Sequence, residues 1–314
     1  MSEQRTLASV VYDAKRKVTS RERFLTEMDR VIPWTPLLAV IRPHYPTAGR
    51  GRRPLPLETM LRVYFLQQWF DLSDPKAEDM LYDSESMRRF AQVDLGEDTV
   101  PDESTILRFR HLLEQHELTP NIFETVRALL EDQRLLLKAG TIVDATIIAA
   151  PSSTKNATKT RDPEMTQTKK GNQWYFGMKI HIGTDTRGLV HSLTTTPAST
   201  ADITQLEDLL HGHETTLFGD KAYWKESDRQ QWQADGGHYR INRRGERTDY
   251  WDGINRARSR VRARVEHVFH VVKRLWGFAK VRYRGLAKNT ARALTTFALA
   301  NLYLVRHKLP PQGT

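Results

Sequence analysis

Up to about Gly140, apolar positions recur at three- and four-residue spacing. Leu57 to Phe70 carries this period over its whole length in Leu, Met, Val, Tyr, Phe and Trp, which predicts an amphipathic helix. Ser73-Asp-Pro begins another, with Ser73 or Asp74 as cap and Pro75 suited to a first turn. Pro101 to Leu113 reads as a turn, a cap at Asp102 or Ser104 and a third helix; Asn121 to Leu137 supplies a fourth. After Gly140 the period changes. Thr141 to Ile148 is rich in β-branched residues and predicts a strand that is at least half buried. Trp174 to Thr184 and Leu189 to Thr196 predict two more, joined as a hairpin across Asp185 to Gly188. Then come a short helix (Asp202 to Leu210), a strand (Thr215 to Phe218), a helix (Lys225 to Ala234), a fifth strand (His238 to Ile241), a long helix (Ala257 to Trp276) and a helical tail (Thr290 to Val305). The order predicts an all-helical N-terminal domain over 1–138 and an α/β domain over 139–314 built on one mixed five-stranded sheet.

Composition narrows the function. With 39% hydrophobic and 27% charged residues the chain is an ordinary globular protein, not a disordered or fibrous one. The net charge of +10 points to a polyanionic partner, nucleic acid or an anionic membrane. The longest near-apolar run, Ala291 to Val305, is interrupted by Arg292, Thr295, Thr296 and Asn301 and is too short to span a bilayer, so no membrane role is expected. The first residues contain no signal-type apolar stretch, and a cytoplasmic location is expected. The absence of cysteine removes disulfides, thiolate metal sites and thiol nucleophiles, leaving carboxylates and histidines as candidate ligands. Between Ile241 and Thr290 there are fourteen Lys or Arg against four Asp or Glu, so this window carries as much surplus charge as the whole chain. A second basic segment, Lys155 to Lys170, reads as a loop ordered by DNA.

Three acids stand at telling places. Asp144 sits mid-strand among Ile142, Val143, Ile147 and Ile148, where a carboxylate is costly unless paired or bound to a metal. Asp220 follows a strand directly, and strand C-terminal ends are where sites gather in α/β sheets. Glu266 lies in the long helix. At 100° per residue, Val261, Val265, Val268, Val272 and Leu275 form the stripe expected to pack on the sheet, with Arg262, Glu266 and Lys273 on the neighbouring stripe. Two aspartates and a glutamate are hard oxygen donors enough for two Mg²⁺ ions, and flanking cations suit a phosphate-bearing substrate. His181, His191, His267 and His270 read as structural or DNA-facing rather than as ligands.

Longer motifs then become recognisable. They include Gly51-Arg-Arg-Pro-Leu-Pro-Leu-Glu-Thr-Met-Leu, Leu72-Ser-Asp, Pro101-Asp-Glu-Ser-Thr-Ile-Leu-Arg-Phe-Arg-His, Val143-Asp-Ala-Thr-Ile-Ile, Ala150-Pro-Ser-Ser-Thr-Lys-Asn and Arg161-Asp-Pro-Glu-Met. Gln167-Thr-Lys-Lys-Gly-Asn-Gln-Trp-Tyr-Phe-Gly-Met-Lys, Arg262-Ala-Arg-Val-Glu-His and Leu299-Ala-Asn-Leu complete the set. In these the chain resembles the DDE-type transposases of bacterial insertion sequences, closest to the insertion sequence 5 family, over nearly its whole length. The resemblance implies a ribonuclease-H-like catalytic domain with Asp144, Asp220 and Glu266 as catalytic triad and metal ligands for two Mg²⁺, with Mn²⁺ as a substitute. The family signature of Tyr, Arg, Glu and Lys maps onto Arg262, Glu266 and Lys273, while Ser259 stands where the Tyr would be. Lys221 beside Asp220 is a second feature of the local pattern. The implied activity is binding of terminal inverted repeats on double-stranded DNA, cleavage of the element ends and joining to target DNA, by a homodimer on DNA associated with the nucleoid. Expected DNA contacts are Arg262, Lys273, Lys169, Lys170, and, on a recognition helix of the N-terminal domain, Arg108 and Arg110. Two rivals remain: a nuclease of the same fold that does not join ends, and a DNA-binding regulator derived from a transposase.

Overall fold

A computed structural model describes residues 14–47, 53–155, 159–243 and 248–312. Part of the Gly51 motif and residues 156–158 of the basic segment lie outside them. The chain divides into two compact units, Met1–Asn121 with Val305–Thr314, and Ile122–Leu304.

The first unit is helical: α1 (Ser20–Val31), α2 (Trp34–Ile41), α3 (Leu57–Trp69), α4 (Asp74–Asp83), α5 (Glu85–Ala91) and α6 (Glu103–Gln115), with α7 (Leu118–Asp132) crossing its boundary. Local chemistry sets the starts. Thr19 and Glu22 form a reciprocal capping box on α1, Ser73 accepts from the Lys76 N–H at α4, and Asp102 accepts from the Thr105 N–H at α6. The core buries Trp34, Phe65 and Trp69 together with Arg62, whose guanidinium lies 4.0 Å over the Trp34 ring and pairs with Asp29 and Glu58, both at 2.7 Å. Arg110 is likewise internal, held by Asp74 and Glu114 at 3.0 Å each. Its guanidinium is committed inside the helical unit, which corrects its expected role as a DNA contact; Arg108, two positions earlier on α6, is exposed.

The second unit is built on β1 (Gly140–Ala149), β2 (Thr166–Lys170), β3 (Gln173–Asp185), β4 (Val190–Pro197), β5 (Thr216–Gly219) and β6 (His238–Ile241). β1, β3 and β4 run antiparallel in turn, β5 and β6 continue parallel on the other edge of β1, and β2 pairs with the start of β3. Among the described residues the sheet therefore has six strands where the sequence pattern predicts five. The extra strand lies in the segment read as a loop; Thr166–Lys170 is polar throughout, so it carries no apolar alternation to reveal it. Two close approaches admit only glycine: a Cβ on Gly177 would stand 2.1 Å from the Ile148 carbonyl oxygen, and one on Gly183 2.4 Å from that of Leu209. After β6 come α9 (Asp249–Arg262), α10 (Val265–His270), a π-helical turn (Val271–Leu275) and α11 (Leu286–Val305); α8 (Glu226–Ala234) precedes β6. On α11, Asn301 accepts from the Val190 N–H at 2.8 Å and donates to the Val190 carbonyl at 2.7 Å, closing the end of β4 with a side chain in place of another strand.

The predicted single helix over Ala257–Trp276 is thus three segments in succession. Val265, Val268 and Val272 are buried as the stripe requires, yet Val271 is buried too and Leu275 is 52% exposed. The π turn inserts a residue into the helical repeat, so arithmetic at 100° per residue fails beyond Val271 and Leu275 rotates outward.

Candidate active site

β1 and β5 pair in parallel only from Gly140↔Thr216 to Ile142↔Phe218. Beyond that point the strands separate, and further along the same edge Ala149 bridges to Lys280. The gap is where the acids stand. Asp144 lies two residues past the last β1–β5 pair, opposite Ile182 of β3, and Asp220 lies one residue past the end of β5. Both sit beyond the carboxyl ends of paired parallel strands, the place where such sheets open crevices. A cleft of about 530 Å³ occupies the gap, lined by Asp144, Asp220 and Glu266 together with Arg262, Lys169, Lys170, Lys179 and Asp202.

Each side chain has a definite partner. Asp144 accepts the N–H of Ala145 at 2.8 Å and the guanidinium of Arg262 at 3.0 Å. Arg262 also lies 3.9 Å from Glu266 one turn on, so it stands between two of the three acids. Asp220 accepts the Ala222 N–H at 2.7 Å and caps a short turn, which leaves Lys221 exposed and away from the cleft lining. Burial pushes the Asp144 carboxyl up to about 6, against the pull of Arg262 and the Ala145 N–H and with a further push from Asp220. Burial holds the Tyr223 hydroxyl far above its ordinary range, with Asp202, Asp144 and Asp220 adding to the effect.

Lys273 is placed otherwise than expected. Its Nζ donates to Thr146 Oγ1 at 3.0 Å and to the Ile147 carbonyl at 2.9 Å, serving the edge of β1 that β5 leaves bare. Desolvation lowers its pKa. Ser259 accepts from the Asn242 side-chain amide at 3.0 Å, while the Asn242 N–H bonds to Gly219; the hydroxyl ties α9 to the strand end that carries Asp220. His181 is bonded to Thr196 and His191 to Thr141 and Ser192, and burial lowers both imidazoles to about 4. Two cleft residues escape the sequence reading, Lys179 and Asp202, paired at 2.8 Å. Lys179 stands among the buried residues of β3 as Asp144 does on β1, and that anomaly is the signal that marks it.

The donor chemistry fits a hard divalent cation, since the cleft offers three carboxylates and the buried Asp144 gains most from a neighbouring positive charge. The acids are not drawn into a cage, however. Among the described residues no group of three or more acidic or histidine side chains is close enough to hold a metal, and the Arg262 guanidinium lies between Asp144 and Glu266.

A mixed sheet flanked by helices, with a carboxylate-lined cleft where two of its parallel strands part, is the architecture of the ribonuclease-H-like class. The "Transposase DDE domain" profile matches residues 136–302, and a second, "Transposase domain (DUF772)", matches 12–112. The chain belongs to the DDE transposases of insertion sequences. Members of this family work with divalent metal ions and have DNA as partner. No helix among the described residues is long and apolar enough to cross a membrane.

Proposed function

We propose that this transposase binds the terminal inverted repeats of its element, cleaves the ends and joins the freed 3′-hydroxyls to target DNA, as in the insertion sequence 5 family. The observation that carries the reading is the shared cleft of Asp144, Asp220 and Glu266 with Arg262 bridging the first and last. These three carboxylates would hold the ions, two Mg²⁺ with Mn²⁺ as substitute. Bound there, the ions supply Lewis-acid chemistry to a phosphodiester. The chain's own residues do the rest. Arg262 and Lys170, whose charges act on Asp144, draw the phosphate backbone toward the acids. Water adds to phosphorus and the bond to the 3′ oxygen breaks, a water proton passing to that oxygen; the resulting 3′-hydroxyl then adds to a target phosphorus and displaces a second 3′ oxygen, which takes up a proton from solvent as the attacking hydroxyl gives one up. Lys273 braces β1 beneath this site. The helical region 1–138 is the proposed reader of the ends and the dimerisation element, with exposed Arg108 on α6 as a DNA contact.

The test uses duplexes made from the DNA flanking this reading frame, incubated with the protein and Mg²⁺ or Mn²⁺. Nicking at the element end followed by strand-transfer products is expected. Asp144→Asn, Asp220→Asn and Glu266→Gln should bind the duplex and yield neither product. Nicking without joining would reduce the protein to a nuclease, and full activity of any of the three variants would refute the triad.

A further inference from the structure

The β2–β3 hairpin ends in a two-residue turn, Gly171-Asn172, with Gly171 at φ +60°. Its register sets Lys169 opposite Trp174 and Gln167 opposite Phe176, and strand alternation places these four on one face. The Lys169 amine lies 6.0 Å from the Trp174 ring centre, and the Arg161 guanidinium lies 5.5 Å from that of Phe176. The result is two aromatic rings on alternate residues of one strand, each with a cation over it. The face does no work for the core. β3 becomes buried only from Gly177 onward, and Trp174 is 65% exposed. The same hairpin reaches the cleft, because Thr168, Lys169 and Lys170 line it beside the three acids.

We propose that this hairpin face binds unpaired DNA nucleotides next to the catalytic cleft, with Trp174 as the stacking platform and Phe176 as a second. The inference rests on the transposase reading above and extends it to the form of DNA engaged. Three features support it. Exposed rings with neighbouring cations suit bases and phosphates together, as in sequence-tolerant single-strand binding. Rings two residues apart on a strand are spaced by roughly 6.6 Å, about twice the 3.4 Å base step of a duplex, which suits bases that are already unstacked. Continuity with the cleft puts such nucleotides beside the scissile phosphate.

The test measures fluorescence anisotropy of the full-length protein, in EDTA, with fluorescein-labelled dT20, the RNA U20 and a mixed-sequence 20-base-pair duplex. Stacking on one ring predicts that Trp174→Ala weakens dT20 binding about tenfold. Duplex binding should change less than twofold, and Trp174→Phe should restore most of the dT20 affinity. Lys169→Ala with Lys170→Ala should weaken both DNAs and flatten the salt dependence for dT20 by about 1.4 in log–log slope. Far-UV circular dichroism and melting of each variant check that the fold is retained. Absence of dT20 binding by the natural chain, an unchanged dT20 affinity in Trp174→Ala, or an equal loss on duplex would overturn the proposal. Trp174-dependent binding that prefers U20 would overturn the assignment to DNA. If dT20 binding depends on Trp174 while the chain neither nicks nor joins end DNA, the transposition chemistry fails and the hairpin assignment stands. The reverse combination removes the hairpin assignment alone.

Discussion

Replacing Asp144 by Asn should make the protein more stable. The carboxyl sits on a buried strand, and its pKa is raised from 3.8 to about 6 by desolvation, with Arg262 offsetting only part of the cost. That displacement is worth about 3 kcal/mol of ionisation free energy. Because the folded-state pKa lies above the unfolded one, the native state is the better proton binder between the two values. Its contribution is intact below about pH 4 and is lost as the pH rises through about 6. Asn resembles the protonated acid in size and can still accept the Ala145 N–H, so the variant escapes this loss. At pH 8 it should gain about 3 kcal/mol, a rise of roughly 6–12 °C in melting temperature for a unit of this size. At pH 4.5 only about 1 kcal/mol of that gain should remain, a difference of roughly 2–4 °C. The assay is thermal melting in EDTA, so that no cation compensates the charge, across pH 4.5 to 8. A variant that melts at or below the natural chain at pH 8 would show that Asp144 is a stabilising structural residue and would refute the account of a costly carboxylate.

Three other outcomes follow from the geometry. Mn²⁺ should raise the melting temperature of the natural chain at pH 8 and leave that of Asp144→Asn unchanged; below about pH 6 the apparent Mn²⁺ affinity should fall by about tenfold per pH unit as the Asp144 proton competes, and a pH-independent midpoint in a thermal-shift titration would sink the ligand assignment. Asn301→Leu preserves volume but strips the N–H and carbonyl of Val190 of their partner, so urea unfolding should report a loss of about 2–4 kcal/mol, against less than 1 if the contact is incidental. Lys273→Met keeps the aliphatic stem and removes the bonds to Thr146 and Ile147; it should cost about 1–2 kcal/mol of stability by the same assay, whereas undiminished stability with lost nicking would return Lys273 to the phosphate.

What the sequence reveals about this molecule depends on whether a residue's role is local. Asp144 announces itself because an acid in a β-branched run contradicts its surroundings, and Asp102 and Ser73 because capping needs only the next turn. The pairing of Arg262 with Glu266 follows from helical spacing. Roles set by distant partners are silent. Arg110 looks like a free cation on a recognition helix until Asp74, thirty-six positions away, is seen to hold it. Lys273 looks like a phosphate grip until β1 is found open at Ile147. The π turn escapes because a five-residue repeat leaves no mark in a run where every Val can be buried. β2 escapes because a hairpin that projects from the core needs no apolar face.

Several local violations gather at one place. Among the described residues, the Tyr223 hydroxyl, His181 Nδ1 and Arg262 Nε are buried without a hydrogen-bond partner in the protein. Tyr223 feels the charges of Asp202, Asp144 and Asp220; His181 Nδ1 lies 3.8 Å from Asp202; Arg262 bridges Asp144 and Glu266. Each departs from the rule that buried polar groups are paired; Arg262 lines the cleft itself, and the other two lie near acids that line it. Stability alone favours none of these unpaired groups, and the proposed site is where stability and function make opposing demands. On the reading proposed above, Arg262 is the element that reconciles the two demands. At 3.0 Å it offsets part of the cost of the Asp144 charge, which helps keep a carboxylate on a buried strand tolerable. Once the carboxylate oxygens are otherwise engaged, the same guanidinium is released toward a phosphate, so the contact that limits instability before binding becomes a contact with substrate after it.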